Sequence, residues 1–320
     1  MTPDGQVRSL RVSLGVGDRL GTGRDLDEVI NEVGQAAAMG FGRVWFAQSP
    51  WAVDALTTIA VVGRAVPGIE LGTAVVPIFP RHPALLAQQA RTVDVAVDHR
   101  LVLGIGLSHQ AIVEGYYGYK FERPAARMAE YLDTLLPLLA GETAAPPAAS
   151  PLRGLRLDVS GPLRPPPVYL GALGPRLLAL AGARVHGTIT WMTGPDTVRG
   201  HIRPHLDAAA NEAGRERPEV VCGLPVCVTR NATDARHRIA EQFAEYGRAP
   251  SYRRMLDRER AGGPADVALV GGQGQVVEQM HRLAEAGADE LLAVVCGTEQ
   301  ERADTRELLA ARFATRTGAP

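Results

Sequence analysis

The chain has 320 residues, a formal charge of −1 and 46% apolar residues. That is enough apolar material to fill one large α/β unit or two smaller ones, so length alone leaves the domain count open. No dense basic stretch exists to hold nucleic acid. No apolar run approaches the roughly 20 residues of a membrane span. The start, MTPDGQVRSLRV, lacks a signal-peptide core. A cytoplasmic protein acting on a small molecule is expected. Cys222, Cys227 and Cys296 are odd in number and set in apolar surroundings, which argues against a disulfide framework or a metal site and for buried packing. The odd spacing of Cys222 and Cys227 puts them on opposite faces of an unbroken strand, and Pro225 between them is a candidate interruption.

Taken in chain order, strands are predicted at Leu10–Val16, Arg43–Ala47, Ile69–Val76, Leu101–Gly106, Pro167–Gly171, Gly187–Met192, Val220–Thr229 and Glu290–Val295. Helical patterns lie between them, including Asp25–Met39, Ala84–Val97, Arg123–Leu139, Pro175–Ala183 and Gly274–Ala286. Strands separated by helices imply parallel pairing. Eight such units predict an α/β fold of the closed (β/α)8 TIM-barrel type in one domain over residues 1–320, with insertions at about 111–165 and 234–262 at the strand C-terminal face. Gly141–Pro167 is too rich in Pro and Gly for a helix; inside it Leu155–Val159 alternates and could form a short strand. Asp234–Arg260 is mostly helical and carries Tyr246, Tyr252 and Met255, either as a lid or as simple outer packing.

The stretch from Leu71 to His109 reads strand, proline-flanked turn (Arg81-His82-Pro83), helix, strand, and then opens at Gly106 into Leu107-Ser108-His109-Gln110. Catalytic groups of a parallel barrel sit where strands end. Histidine suits acid–base work because its ordinary pKa is near roughly 6.5, so His109 is the leading catalytic candidate, with Ser108 beside it; Gln48, after the second strand, could hydrogen-bond the ligand. Gln110 could orient His109 or bind the ligand. Leu173-Gly174-Pro175-Arg176 joins a strand to a helix; its glycine permits close backbone approach, and free amides at a helix start hold phosphate. Trp191, at a strand end, is a candidate pocket wall. Trp51, Tyr116 and Tyr117 could line a substrate pocket, although packing is an equally good role for such aromatics. Arg81-His82-Pro83 is read as shaping a loop.

The ordered series of Gly40–Ala47, Leu71–Pro83, Leu101–Gln110, Arg123-Pro124 with Tyr131, Leu173–Arg176, Gly187–Pro195, Pro250–Arg253 and Pro264–Gly271 resembles the luciferase-like monooxygenase superfamily, most closely its F420-dependent oxidoreductases. The resemblance implies a barrel that binds a deazaflavin or flavin at the strand C-terminal face, a homodimer, and hydride transfer to or from a C=C, C=N or C=O bond. It implies a non-prolyl cis peptide at Ala74–Val75, packed against one face of the cofactor ring. His109 falls where several such enzymes carry an acidic proton donor. Gln48-Ser49 falls where some relatives place an Asp-His pair, absent here. The expected cofactor is coenzyme F420, the alternative FMN in a monooxygenase. A ligand-binding barrel without chemistry is the reading from another class. No convincing metal-ligand set is present.

Overall fold

The structure is a computed structural model. It describes residues 10–16, 25–144, 154–159 and 164–313. The chain begins with β1 (Arg11–Val16), α1 (Leu26–Ala38), β2 (Arg43–Phe46) and α2 (Ala55–Ala65). Next come β3 (Glu70–Thr73), the two-residue β4 (Val76–Pro77), α3 (Pro83–Ala96) and β5 (Leu101–Gly106). Helices α4 (Gln110–Gly115) and α5 (Pro124–Leu139) precede β6 (Val168–Gly171), and α6 (Pro175–Arg184) precedes β7 (Gly187–Trp191). A continuous helical run of α7 (Pro195–Thr197), a π-helical turn at Val198–Ile202 and α8 (Arg203–Glu212) leads to β8 (Glu219–Val228). Then follow α9 (Ala232–Gln242), α10 (Ala244–Arg248), α11 (Pro250–Arg258), α12 (Pro264–Val267), β9 (Leu269–Gly271), α13 (Gln273–Glu285), β10 (Glu290–Val295) and α14 (Glu299–Phe313).

Strands β1, β2, β3, β5, β6, β7, β8 and β10 pair in parallel in that order, and β10 pairs back to β1. This is a closed eight-stranded (β/α)8 barrel. Its local logic is ordinary. In α1 the Asp25 carboxylate accepts from the amides of Asp27 and Glu28, and Val29, Val33 and Ala36 form the buried face at helical spacing. Among the described residues, no helix is long and apolar enough to cross a membrane.

Five local expectations change. The predicted strand Ile69–Val76 is two pieces, β3 and β4, separated by Ala74–Val75. Leu155–Val159 forms no strand; Leu155 makes a single bridge to Ala144. One strand has no counterpart among the predicted ones: β9 pairs with the far end of β8 outside the closed ring, and three residues are too short for a periodic signal. The first inserted span is narrower than 111–165, because α5 packs between α3 and α6 as one of the outer helices. Pro225 does not interrupt β8, which stays in register with β10 at Val294. All three cysteines are free and buried, and burial pushes the Cys222 thiol up to about 12.

Two layers of packing hold the barrel. The outer one lies between strands and helices. The inner one is a separate column of Trp45, Val102, Tyr169, Ile189, Val221 and Leu292, topped by Ala74, Val75 and Val294. At the N-terminal end of the strands this column rests on a charged floor. Glu290 accepts from Ser13 Oγ at 2.6 Å, Trp45 Nε1 at 2.8 Å, Arg43 Nη1 at 2.6 Å and Arg11 Nη2 at 3.3 Å. Glu219 accepts from Arg11 at 2.5 Å and from the Tyr169 hydroxyl at 2.6 Å. Replacing Glu290 by alanine removes the acceptor these groups share, leaving Trp45 Nε1 with Ser13 Oγ alone, Ser13 with the longer bond to the Leu291 carbonyl, and Arg43 with Glu70. The variant Glu290→Ala is expected to lose about 3–5 kcal/mol in urea denaturation. Removing the exposed Glu245–Arg248 pair should change stability by less than about 1 kcal/mol.

Candidate functional site

The opposite end of the barrel is built around glycines. Thr73 Oγ1 donates to the Gly104 carbonyl at 2.7 Å and accepts from the Gly104 amide at 2.9 Å. A side chain at Gly104 would lie 1.9 Å from the Thr73 carbonyl oxygen. Directly after Thr73 the Ala74–Val75 peptide is cis, and the Val75 side chain lies over β5 and β6. A Cβ at Gly106 would meet Val75 Cγ2 at 2.5 Å, and one at Gly171 would meet it at 3.2 Å. Ala74, Val75, Gly106 and Gly171 thus make a ledge with no polar side chain of its own.

His109 follows directly from this ledge. Ser108 turns the chain through a left-handed conformation (φ 62°), and His109 stands before α4 without capping it. Its ring lies 5.5 Å from Tyr252 and 6.1 Å from Tyr246. Tyr246 in turn lies 5.8 Å from Trp191, and Trp191 5.5 Å from Phe243. Five rings therefore cross the mouth from the end of β5 to the end of β7. Three of them come from the segment α9–α11, so this segment covers the mouth. It is pinned at its end: Glu259 accepts from the Thr197 amide at 2.5 Å, and Thr197 Oγ1 donates to the Met255 carbonyl at 3.2 Å. Burial holds the His109 imidazole below its usual pKa. No carboxylate opposes that shift, so His109 is neutral at pH 7.

Trp191 carries an unmet group. Its ring fills the space left by Gly223, where a Cβ would lie 2.8 Å away. Its Nε1 is buried and has no hydrogen-bond partner among the described residues. The start of α6 is open as well. Gly174 is its N-cap, Pro175 occupies the first turn, no side chain caps it, and a Cβ on Gly174 would meet nothing within 4 Å. The preceding Leu173 carbonyl is held by His201 Nε2, which donates to it at 2.8 Å from the π-helical turn. His201, within the π-helical turn, is a contact of the α6 start that sequence reading missed.

The remaining candidates lie elsewhere. Gln48 Oε1 accepts from the Ala55 amide at 2.8 Å and so caps α2. Gln110 is exposed and turns along α4 to Glu114 at 3.2 Å. Trp51 and Tyr116 are exposed and pair with each other at 5.6 Å on the outer rim. Tyr117 is half-buried beside Arg81. Arg176 is exposed at the start of α6.

The cis-peptide ledge, His109 with its ring neighbours and the uncapped start of α6 all lie at the strand C-terminal end of the closed parallel barrel. The luciferase-like monooxygenase profile matches residues 11–290, and the chain belongs to this family. It is 29% identical over 280 residues to a Mycobacterium tuberculosis protein assigned as a coenzyme F420-dependent oxidoreductase, covering 83% of this chain and 80% of that one. It is 30% identical over 204 residues to the F420-dependent glucose-6-phosphate dehydrogenase of Microbacterium testaceum, covering 58% and 59%. Among solved structures it is similar to the F420-dependent tetrahydromethanopterin reductase of Methanopyrus kandleri, with a TM-score of 0.73, 17% identity and coverage of 96% and 99%. It is equally similar in fold to the oxygenating component of 3,6-diketocamphane monooxygenase from Pseudomonas putida in complex with FMN, with a TM-score of 0.75, 16% identity and coverage of 98% and 100%.

The Glu259 contact supplies a direct check on the cover. In Glu259→Ala, amides across residues 244–258 should exchange roughly 10–100-fold faster with deuterium than in the parent, while barrel-strand amides keep their rates.

Proposed function

We propose that the protein is a coenzyme F420-dependent oxidoreductase that moves a hydride to or from a small organic substrate. The observation that carries this reading is that two relatives matched over much of the chain are named for this cofactor. The mouth fits such a group. Its glycine-backed Val75 ledge suits a planar ring. Trp191 Nε1 has a donor to offer. The start of α6, with Leu173, Gly174, Pro175 and Arg176, offers unoccupied amides and open space to a phosphodiester. When bound, the coenzyme supplies a ring carbon that accepts or releases a hydride.

The protein's own part is proton management. His109 is neutral at pH 7, so it is ready to take a proton from a substrate hydroxyl or amine as the adjacent C–H bond is oxidised. In the reverse direction it must first be protonated. Ser108 sets the backbone from which His109 projects, and the Tyr246 and Tyr252 rings pack against its imidazole. Gln48 serves the site indirectly, by fixing the start of α2. The flavin alternative rests on the fold shared with the FMN-bound monooxygenase. Titration of the purified protein with F420 and FMN, followed by fluorescence, separates the two: tighter F420 binding supports the proposal, and preference for FMN overturns it.

With F420 and a turned-over substrate in hand, His109→Ala should retain cofactor affinity and slow turnover by roughly 10²–10⁴. The pH profile gives the sign. The base form of His109 persists down to its lowered pKa, so oxidation should fall only at pH values below 6.5. That acid limb should vanish in His109→Ala. An unchanged rate would remove His109 from the chemistry.

The proposal extends to a homodimer. Trp51, Val53, Val61 and Leu85 are exposed apolar residues on and beside α2 and α3, and Leu85 is 63% exposed. An apolar face of this kind suits a second copy of the same chain. Sedimentation should give a dimer for the parent protein and a monomer for Leu85→Asp at low micromolar concentration. A monomeric parent would overturn the assembly but not the chemistry.

A further inference from the structure

The rim between the β4–α3 loop and α5 carries more hydrogen-bond donors than acceptors. Arg81 is paired with Asp54. Asp54 is already shared, since its Oδ1 accepts from the Thr57 amide and Thr57 Oγ1, both at 2.9 Å. The Arg127 guanidinium lies 4.5 Å from the Phe79 ring centroid, and Phe79 stacks on Phe121 at 5.3 Å. Among the described residues Arg127 joins no ion pair. The neighbouring carboxylates are turned away: Glu130 to Arg123, Glu114 to Gln110 and the Phe121 amide, Glu122 to Lys120. One turn along α5 from Arg127 stands Tyr131, which is 6% exposed. Its hydroxyl is buried and has no hydrogen-bond partner among the described residues. Burial pushes this phenol up, while Arg81 and Arg127 pull it down, so both cations lie within electrostatic reach of it.

On this rim Arg81 is matched by Asp54, while the Arg127 guanidinium and the buried Tyr131 hydroxyl, one helical turn apart, have no acceptor among the described residues. A buried donor without an acceptor is costly, and a guanidinium on an apolar shelf keeps its planar fork free for an oxyanion. We propose that Arg81, Arg127 and Tyr131 form a subsite for an oxyanion, a carboxylate or phosphate group. Arg127 and Tyr131 donate to it, and Arg81 adds its charge from the Asp54 pair. The subsite is on the same rim as Tyr117, beside the loop that leaves β4. If the oxidoreductase reading holds, the anion is an arm of the substrate whose reacting carbon lies in the mouth.

The test uses the whole protein without cofactor. Thermal unfolding is followed against inorganic phosphate and against succinate, with ionic strength held constant by chloride. A saturable rise in Tm is expected for at least one anion. Arg127→Gln and Tyr131→Phe should each raise the half-saturating concentration about tenfold or more, because a hydrogen bond to a charged group is lost. Arg127→Lys, which keeps charge without the fork, should fall between parent and Arg127→Gln. Tyr131→Phe keeps the ring and guards against simple misfolding. Preference for succinate assigns a carboxylate arm, and preference for phosphate a phosphate arm; either supports the subsite. No saturable effect, or an effect equal in all variants, overturns it. Because no F420 is present, failure here is separate from failure of the cofactor reading.

Discussion

The barrel depends on the solvation of one buried carboxylate. Glu290 opens the last barrel strand and is 1% exposed. A charge taken so far from water must be met by donors, or it destabilises the state that buries it. Its donors come from the first two strands: Arg11 and Ser13 on β1, Arg43 and Trp45 on β2. They converge only when β10 lies in register with β1, Arg11 opposite Glu290. The contact that satisfies the charge is thus also the contact that closes the ring. Glu219 extends the same floor around to β6 through Tyr169. Burial pushes Glu219 up, yet its bonds to Arg11 and Tyr169 hold it below the usual carboxylate range.

From this floor the interior is filled upward by volume. Trp45 enters the space left by Gly72, where a Cβ would lie 2.3 Å from its ring. Tyr169 meets Trp45 edge-on at 6.1 Å. Ile189 and Leu292 follow, and Val75 closes the column from above. Large side chains from some strands therefore require glycine on their neighbours. The same rule shapes the mouth, where Gly104, Gly106 and Gly171 leave backbone and Val75 as the surface a ligand meets.

What was legible in the sequence follows this division. Buried parallel strands are continuous apolar runs, so seven of the eight barrel strands could be read nearly end to end; the eighth, Ile69–Val76, was seen whole although Ala74–Val75 breaks it. That break was reached only through family resemblance, because nothing in the residues Thr73–Val76 marks a cis bond. Gly174 and Pro175 announced a helix start by local chemistry. The ring wall was not legible: Tyr246 and Tyr252 were visible as lid aromatics and His109 as a candidate base, but more than 130 residues separate them in the chain. Their contact is set by how α9–α11 returns over the mouth. The capping task of Gln48 was hidden for the same reason, since an amide's partner seven residues away depends on the loop between.

That loop explains why the acid–base burden shifts. In the family resembled, some members place an Asp-His pair where this chain has Gln48-Ser49. Here the corresponding loop is spent on structure: Gln48 caps α2, and Asp54 caps it again while holding Arg81. With no imidazole there, the proposed proton transfer rests on His109 across the mouth. Its surroundings differ from those of an Asp-paired histidine. Rings, not a carboxylate, surround it, so burial lowers its affinity for a proton instead of raising it. Under the proposed reading, a base held neutral beside an apolar ledge favours taking a proton as hydride leaves the substrate, and is poorly placed to deliver one unless the substrate brings its own acid.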